Sequence, residues 1–152
     1  MNRLSTVYHV ASLAGGPRRV AETVLAALLE REQIRLGTTG RLYLTPLFPP
    51  DPLGREAVGL FAGRDGVPVA ELVAELALTP AVRAVRDDLA GRGLLTRPPP
   101  LKLLRHVLAP GRPTKAGRRA LGEARDDLSL VSGAAGAVAL GGLRVFLNAH
   151  ER

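Results

Sequence analysis

The chain has 152 residues, a formal net charge of +7 and a pI of about 11.1. It contains no cysteine, which excludes disulfides, thiolate metal sites and thiol catalysis and fits a protein of the reducing cytoplasm. The hydrophobic fraction of 46% is enough for one domain or two very small ones, but only 3% is aromatic, so Leu, Val and Ala must fill the core.

Two helices, separated by Gly15-Gly16, are predicted at the start of the chain. Ser5 is the predicted N-cap of the first, which runs to Leu13. Pro17 suits the first turn of the second, because the N–H that proline lacks has no partner there in any helix. Apolar residues then recur at helical spacing and predict one buried face. They are Val20, Ala21, Val24, Leu25, Leu28 and Leu29.

Two short alternating segments follow, on either side of the turn sequence Gly37-Thr38-Thr39-Gly40. This pattern predicts an antiparallel hairpin with one apolar face. The positions predicted to point inward are Ile34, Leu36, Leu42 and Leu44. The positions predicted to point outward are Arg35, Arg41 and Tyr43. A helix followed at once by a short hairpin is the arrangement of a recognition helix and its wing, so we predict a winged-helix-like half over residues 1–48.

The middle of the chain is predicted to form a second half over residues 51–108. Four prolines within Thr45–Pro52 exclude a helix and predict an extended linker. Helices are then predicted to start at Asp51-Pro52, over Val67–Leu78 and after Thr79-Pro80. A strand, Leu94–Thr96, and a short return element, Leu101–Leu108, which the sequence allows as strand or helix, would form a second wing.

The two halves also share a weak internal repeat. Leu25, Leu29 and Ile34, shifted by sixty positions, overlay Val85, Leu89 and Leu94. Two amphipathic helices of similar length would give the same overlay without a duplication, and the sequence does not choose between the two readings.

The remaining residues, 114–150, are predicted to be a C-terminal helical segment that packs on the halves. Thr114 is the predicted cap of a helix over Lys115–Asp127. A last helix is predicted over Leu128–Leu147, with a smooth face of Ala134, Ala137, Val138 and Gly141. Its uncharged run is shorter than the ~20 apolar residues of a membrane span. The predicted class is therefore mainly α with short β-hairpins (α+β): tandem winged-helix-like halves plus C-terminal helices.

Catalytic residues are not evident. The three histidines are scattered, without the spacing of metal ligands, and the pairs Asp87-Asp88 and Asp126-Asp127 diverge because neighbouring helical positions lie ~100° apart. Arg18 and Arg19 follow a helix and lack the lysine of a phosphate loop, so a tight interhelical turn is favoured there. We predict no catalytic residue, no metal site and no cofactor.

Positive charge is concentrated in one window, Leu89–Gly122, which contains eight basic residues and no acidic one. They are Arg92, Arg97, Lys102, Arg105, Arg112, Lys115, Arg118 and Arg119. Such a field attracts acidic peptides, nucleic acid or anionic lipid. In a chain this rich in arginine, an ordinary solvated surface explains it equally well.

DNA binding is the rival hypothesis for any winged helix, but the predicted recognition helices carry carboxylates that repel phosphate. The first has Glu22, Glu30 and Glu32, and the second has Asp87 and Asp88. Gln33 is the one obvious amide beside the first helix for reading a base. A DNA-binding transcriptional regulator is therefore kept as the alternative function, with nucleic acid disfavoured and a membrane surface unfavoured as partners.

Several phrases occur together in one order: LAGGPRRVAETVLAALLER, DPLGREAV, TPAVRAVRDDLAGRGLL, RPTKAGRRAL and GAVALGGL. Over roughly Leu13–Leu143 they resemble an uncharacterised actinobacterial family labelled "domain-containing membrane protein". Members of that family carry transmembrane segments where this chain has Pro98–Arg112. The resemblance therefore implies a soluble, shortened member.

Genes of this family are often found beside multinuclear non-haem iron-dependent oxidases, which modify ribosomally made peptides with help from a partner protein. The resemblance thus implies a non-enzymatic, cytoplasmic partner of a precursor peptide, of the oxidase, or of both. A wing that accepts a leader peptide as an added strand would supply the contact. The predicted contact residues are Ile34, Leu36, Leu42, Tyr43 and Leu44 of the first wing, and Arg92, Arg97, Lys102 and Arg105 of the basic stripe.

Overall fold

The computed structural model describes Leu4, residues 6–96 and residues 112–144. This part of the chain is mainly helical with a small antiparallel sheet, which is the α+β class predicted. The elements from the first helix to the last strand are α1 (Val7–Glu30), β1 (Ile34–Leu36), β2 (Arg41–Leu44), α2 (Pro52–Gly59) and β3 (Val67–Pro68). The helices after them are α3 (Val69–Ala77), α4 (Pro80–Gly91), α5 (Lys115–Arg125), α6 (Leu128–Val131) and α7 (Gly133–Gly141).

The break predicted at Gly15-Gly16 lies at Gly16, whose φ of 75° and ψ of −162° interrupt α1. The helical stretches on either side are the two predicted helices, joined across this kink and named together as α1. The N-cap is Thr6 rather than Ser5, because the Thr6 side chain accepts a hydrogen bond from the backbone N–H of His9. The second stretch, from Pro17 onward, carries the buried apolar face that the spacing predicted.

The hairpin has the predicted turn, and a third strand extends its sheet. β1 and β2 are antiparallel, with Ile34 opposite Leu44 and Leu36 opposite Leu42. β3 adds to the other side of β2, where Val67 lies opposite Leu42. The prediction of a helix from Val67 is therefore wrong in its first two residues, because cross-strand pairing with a distant segment outweighs their local helical pattern.

The linker and the next helices follow their capping residues. The Asp51 side chain accepts a hydrogen bond of 3.0 Å from the N–H of Gly54, and Pro52 occupies the first turn of α2. Thr79 precedes α4 as predicted, but its hydroxyl donates backward to the Leu76 carbonyl at 2.7 Å instead of capping α4.

The predicted strand Leu94–Thr96 is present only as an isolated bridge between Leu95 and Pro113. The N–H of Thr96 donates to the Arg112 carbonyl and the N–H of Thr114 to the Leu94 carbonyl, so this bridge directs the chain into α5. The predicted return element Leu101–Leu108 lies outside the described residues. Within the described chain, the second half shows a bridge where the first half has a hairpin.

The C-terminal segment starts as predicted, since Thr114 caps α5 by accepting a 3.1 Å hydrogen bond from Gly117. The single final helix is wrong: extended backbone at Ser132 and a φ of 75° at Gly133 separate α6 from α7, and Gly142, with a φ of 86°, ends α7. The buried face of α7 is also different from the predicted one. It consists of Gly136, Val138 and Ala139, and α7 packs along α1.

One hydrophobic core cluster draws on every stretch that the structure describes. α1 lies at its centre and contacts α3, α4, α5 and α7. Residues of both predicted halves, such as Leu25 and Leu89, are fully buried in this cluster together with Ala139 of α7. The β-hairpin is attached to this body through Ile34 and Leu42.

Candidate partner-binding site

Four of the six large apolar side chains that are exposed among the described residues lie on the hairpin and the linker after it; the other two are Leu78 and Leu128. Leu36 is 44% exposed, Leu44 43%, Leu47 54% and Phe48 66%. We call these four residues the hairpin patch. Removing the apolar surface of leucine and phenylalanine from water is favourable by roughly 25 cal/mol for each Å². A cluster of them on one hairpin and its following linker is therefore a candidate docking surface.

The alternation of the hairpin is confirmed, but its predicted burial is only half right. Ile34 and Leu42 are each 1% exposed and belong to the core. Leu36 and Leu44 project from the same face, since residues two apart on a strand share a side. These two residues lie diagonally across the hairpin from each other and are exposed, whereas the other diagonal pair, Ile34 and Leu42, is buried. The prediction that both point into the core is wrong.

β1 is an edge strand of the sheet in the described part of the chain. Hydrogen bonds from Thr45 N–H to the Gln33 carbonyl and from Gly37 N–H to the Arg41 carbonyl set the phase of the ladder. In an antiparallel pair, alternate residues face the partner strand. The N–H and C=O groups of Ile34 and Leu36 therefore point away from β2, toward the open side. This edge offers two donors and two acceptors to a further strand.

On the opposite face of the hairpin, Tyr43 is half-buried rather than fully outward. The guanidinium of Arg35 lies over its ring. Gly37 and Gly66 border the ring on two sides, and a Cβ on either glycine would approach the ring carbons within 3 Å: 2.7 Å for Gly37 and 2.8 Å for Gly66. Tyr43 thus packs between the Arg35 side chain and the two glycines on the outer face of the hairpin.

Gln33, just before β1, is 8% exposed, and its Oε1 is a buried acceptor with no hydrogen-bond partner among the described residues. A buried amide oxygen without a donor costs free energy, on the order of 1–3 kcal/mol. Its burial also removes Gln33 from the surface, so this side chain is not placed to read a DNA base. This burial argues against the role that the sequence suggests for Gln33, which is to read a DNA base beside the first recognition helix.

The hairpin and its linker carry positive charge alone: residues 33–50 include Arg35 and Arg41 and no Asp or Glu. Both arginines are exposed. The Arg41 guanidinium also reaches the carbonyl of Gly66, in the turn before β3, at 3.5 Å. An incoming chain with carboxylates on the face of Arg35 and Tyr43 would meet an attractive field there.

The predicted basic stripe is described at one position. Arg92 follows α4 as its C-cap, and its guanidinium lies 3.0 Å from Asp88 Oδ2. The same carboxylate oxygen lies 2.8 Å from His9 Nε2, which joins α4 to α1. Arg92 is therefore part of an interhelical polar network, on a different element from the hairpin. Arg97, Lys102 and Arg105 lie outside the described residues.

Beside the start of α2, Tyr8 packs against Asp51. Burial of the phenol, then the negative charge of Asp51 and a hydrogen bond to it, raise the pKa of Tyr8 to about 12, against a smaller lowering by Arg31. Asp51 thus caps α2 and lies close enough to Tyr8 of α1 to raise the pKa of its phenol. This contact anchors the far end of the linker that carries Leu47 and Phe48.

Two searches of the described residues define what else the surface offers. Among them, no group of three or more His, Cys, Asp or Glu side chains is arranged to hold a metal ion. None of the helices described has both the length and the apolar character needed to cross a membrane. Comparison of the chain with protein-family models, with curated proteins and with solved structures gives no match.

Proposed function

We propose that this protein is a non-enzymatic partner protein that binds an extended segment of another polypeptide along β1. The bound chain would be the precursor peptide of a ribosomally made natural product, its metal-dependent modifying oxidase, or a complex of the two. The observation that carries the proposal is the edge of β1 beside the hairpin patch, where exposed apolar side chains lie next to backbone groups that no strand of the described chain pairs with.

The proposed mode of binding is addition of a strand to the sheet. Backbone hydrogen bonds to Ile34 and Leu36 would supply affinity, and side-chain contacts would select the register. Alternate residues of the bound strand would lie beside Leu36 of β1, on the face that also carries Leu44 of β2, and favour apolar side chains. The residues between them would lie on the face of Arg35 and favour carboxylates. An alternating apolar and acidic segment is the ligand pattern that this hairpin supports.

The proposal includes the finer predictions about fold and family. α1 with its hairpin would be the recognition helix and wing of one winged-helix-like half, and α3 and α4 with the Leu95–Pro113 bridge would belong to another. The chain would be a shortened member of the actinobacterial family that its sequence phrases resemble. The partner role requires no reactive group: holding a peptide near an enzyme raises their effective concentration.

The direct test is calorimetric titration of the purified protein with a synthetic precursor peptide encoded beside its gene, and then with the purified oxidase encoded there. Leu36→Pro removes one outward N–H and blocks the edge, while leaving the hydrogen bonds between β1 and β2 intact. Leu36→Ala is the matched control, since it trims the side chain and keeps the N–H. We expect Leu36→Pro to abolish binding and Leu36→Ala to weaken it by roughly tenfold or less.

Strand addition also leaves a signature in the peptide. N-methylation of single residues should weaken binding at every second position, because only alternate N–H groups face β1. Binding that is insensitive to Leu36→Pro and to N-methylation would contradict the proposed site. Absence of binding to both peptide and oxidase, together with a salt-dependent mobility shift of the protein's own upstream DNA, would favour the alternative of a transcriptional regulator.

A further inference from the structure

A second candidate site lies at the other end of the long part of α1. A cavity of about 400 Å³ opens where α1, α3 and the C-terminal end of α7 meet. This volume is in the range of small-molecule sites in proteins. Among the described residues that line it, Val69, Ala70 and Val73 of α3 form an apolar wall. Arg18, Glu22 and Arg144 supply its charged rim.

The polar groups at the back of the cavity are already engaged in holding α7. Arg19 Nη1 donates to the carbonyls of Ala139 and Leu140 at 3.2 and 3.1 Å. Glu22 Oε2 accepts a 2.8 Å hydrogen bond from the N–H of Leu143. The two bonds from Arg19 satisfy carbonyls in the C-terminal turn of α7, which would otherwise lack partners, and the bond to Glu22 fixes the backbone after α7. They also give the cavity a rigid floor.

The rim is cationic. The lining includes the guanidinium groups of Arg18, Arg19 and Arg144 against the single carboxylate of Glu22. Arg18 is 79% exposed, and its Nε lies 3.7 Å from Glu22 Oε1, a distance at which an ion pair on the surface contributes little. Glu22 is also hydrogen-bonded to the N–H of Leu143, and its contact with Arg18 is weak. The guanidinium of Arg18 can therefore bind a further carboxylate in a bidentate geometry.

We infer that this cavity binds a small organic acid with one carboxylate and an apolar body. The carboxylate would lie against Arg18 and Arg144, and the apolar body against Val69, Ala70 and Val73. An aliphatic or aromatic monocarboxylate and the C-terminal end of a peptide with an apolar last residue share this chemistry. This site is separate from the proposed peptide edge, because Arg18 and Glu30 lie about 18 Å apart along the axis of α1.

The test is calorimetric titration of the full chain with octanoate, octan-1-ol and an amidated and a free-acid form of a short peptide that ends in leucine. We expect octanoate to bind and octan-1-ol, which lacks the charge, to bind at least tenfold more weakly. A preference for the free-acid peptide over octanoate would identify a peptide terminus as the source of the carboxylate. A preference for octanoate would identify a free acid.

Two variants with matched controls locate the site. Arg18→Gln removes a rim charge and should weaken octanoate binding roughly tenfold, whereas Arg83→Gln removes the same charge from exposed α4 and should not. Ala70→Phe fills the cavity from its exposed edge and should abolish binding. Ala74→Phe places the same ring one turn further along α3, outside the cavity, and should leave binding unchanged. Equal binding of octanoate and octan-1-ol, no binding of either acid, or equal effects of each variant and its control would overturn the inference.

Discussion

The guanidinium carbon of Arg35 lies 4.9 Å from the centre of the Tyr43 ring. The two residues are opposite each other on β1 and β2, on the face of the hairpin that is turned away from the core. A cation over an aromatic face at this distance is attractive, by about 0.5–1 kcal/mol at an exposed site. Because Gly37 and Gly66 leave room for the ring, the stack also ties the hairpin to the turn before β3.

The first prediction concerns the space that Gly66 leaves for Tyr43. Gly66→Ala should destabilise the fold more than Gly40→Ala. Both glycines have a φ of +79°, so both substitutions carry the same backbone strain of roughly 1–2 kcal/mol, but only the Cβ at position 66 meets the Tyr43 ring. The free energy of unfolding, measured by urea denaturation, gives the comparison.

Making both glycine substitutions in a Tyr43→Ala background isolates the part of the destabilisation that comes from the clash with the ring. In that background the ring is absent, and the two glycine substitutions should cost nearly the same free energy. A difference that survives the removal of the ring would show that Gly66 is required for another reason.

The second prediction concerns Arg19, whose side chain bonds two carbonyls at the end of α7 across 120 residues of sequence. Arg19→Ala should lower the free energy of unfolding by about 2 kcal/mol, because buried carbonyls lose a charged donor. Hydrogen exchange should become faster in α7 in particular. Arg18→Ala, one residue earlier and exposed, should cost less than about 0.5 kcal/mol. Equal losses for the two variants would contradict the assigned role of Arg19.

A third prediction tests the link between α1 and α4. His9 Nε2 lies 2.8 Å from Asp88 Oδ2, while its Nδ1 lies 2.7 Å from Thr6 Oγ1. A double-mutant cycle with His9→Ala and Asp88→Ala should give a coupling free energy of about 1 kcal/mol. The same cycle with Asp87→Ala should give a coupling near zero, because Asp87 pairs with Arg86 instead. Coupling of the same size in both cycles would exclude a specific bond to Asp88.

The fourth prediction concerns pH. Burial and then the charge of Asp51 raise the pKa of Tyr8 from 10.0 to about 12 in the folded chain. A pKa that folding raises adds stability below the unfolded value, and that stability is lost as the pH rises through the folded value. The free energy of unfolding should therefore fall between about pH 10 and about pH 12. Tyr8→Phe should remove this part of the fall.

The titration itself can be followed by the ultraviolet absorbance of the phenolate. The chain has two tyrosines, so Tyr43→Phe leaves Tyr8 as the one that is observed. Asp51→Asn should bring its midpoint down toward 10, since the neutral amide removes the carboxylate charge. A midpoint that stays the same in Asp51→Asn would leave burial as the sole cause of the raised pKa.

The features that the sequence predicted correctly act over short range. The break at Gly16, the caps at Asp51 and Thr114, and the hairpin turn between Gly37 and Gly40 each depend on residues within a few positions of one another. Periodicity also identified Ile34 and Leu42 as buried. These predictions succeeded because capping and alternation are properties of a local segment.

The exposure of Leu36 and Leu44, half of the hairpin patch, depends on contacts with distant segments, and local sequence patterns do not contain that information. Leu36 and Leu44 have the same spacing as Ile34 and Leu42, so the pattern alone could not show that they stay uncovered. The burial of Gln33 could not be predicted from the sequence either, because a polar residue between a helix and a strand is expected to be exposed. The functional predictions for the hairpin residues and for Arg92, Arg97, Lys102 and Arg105 stay predictions.

The sequence by itself determined the caps that start α2 and α5, the alternation of the hairpin strands, and that positive charge is concentrated after Leu89. Only the tertiary structure decided that Val67–Pro68 is a strand, that α7 breaks away at Gly133, and that Arg19 and His9 bind partners 120 and 79 residues distant. The physical reason is that a cap or a turn is stabilised by its own neighbours in sequence. An edge, a cavity or an interhelical bond exists only once separate segments have been packed against one another.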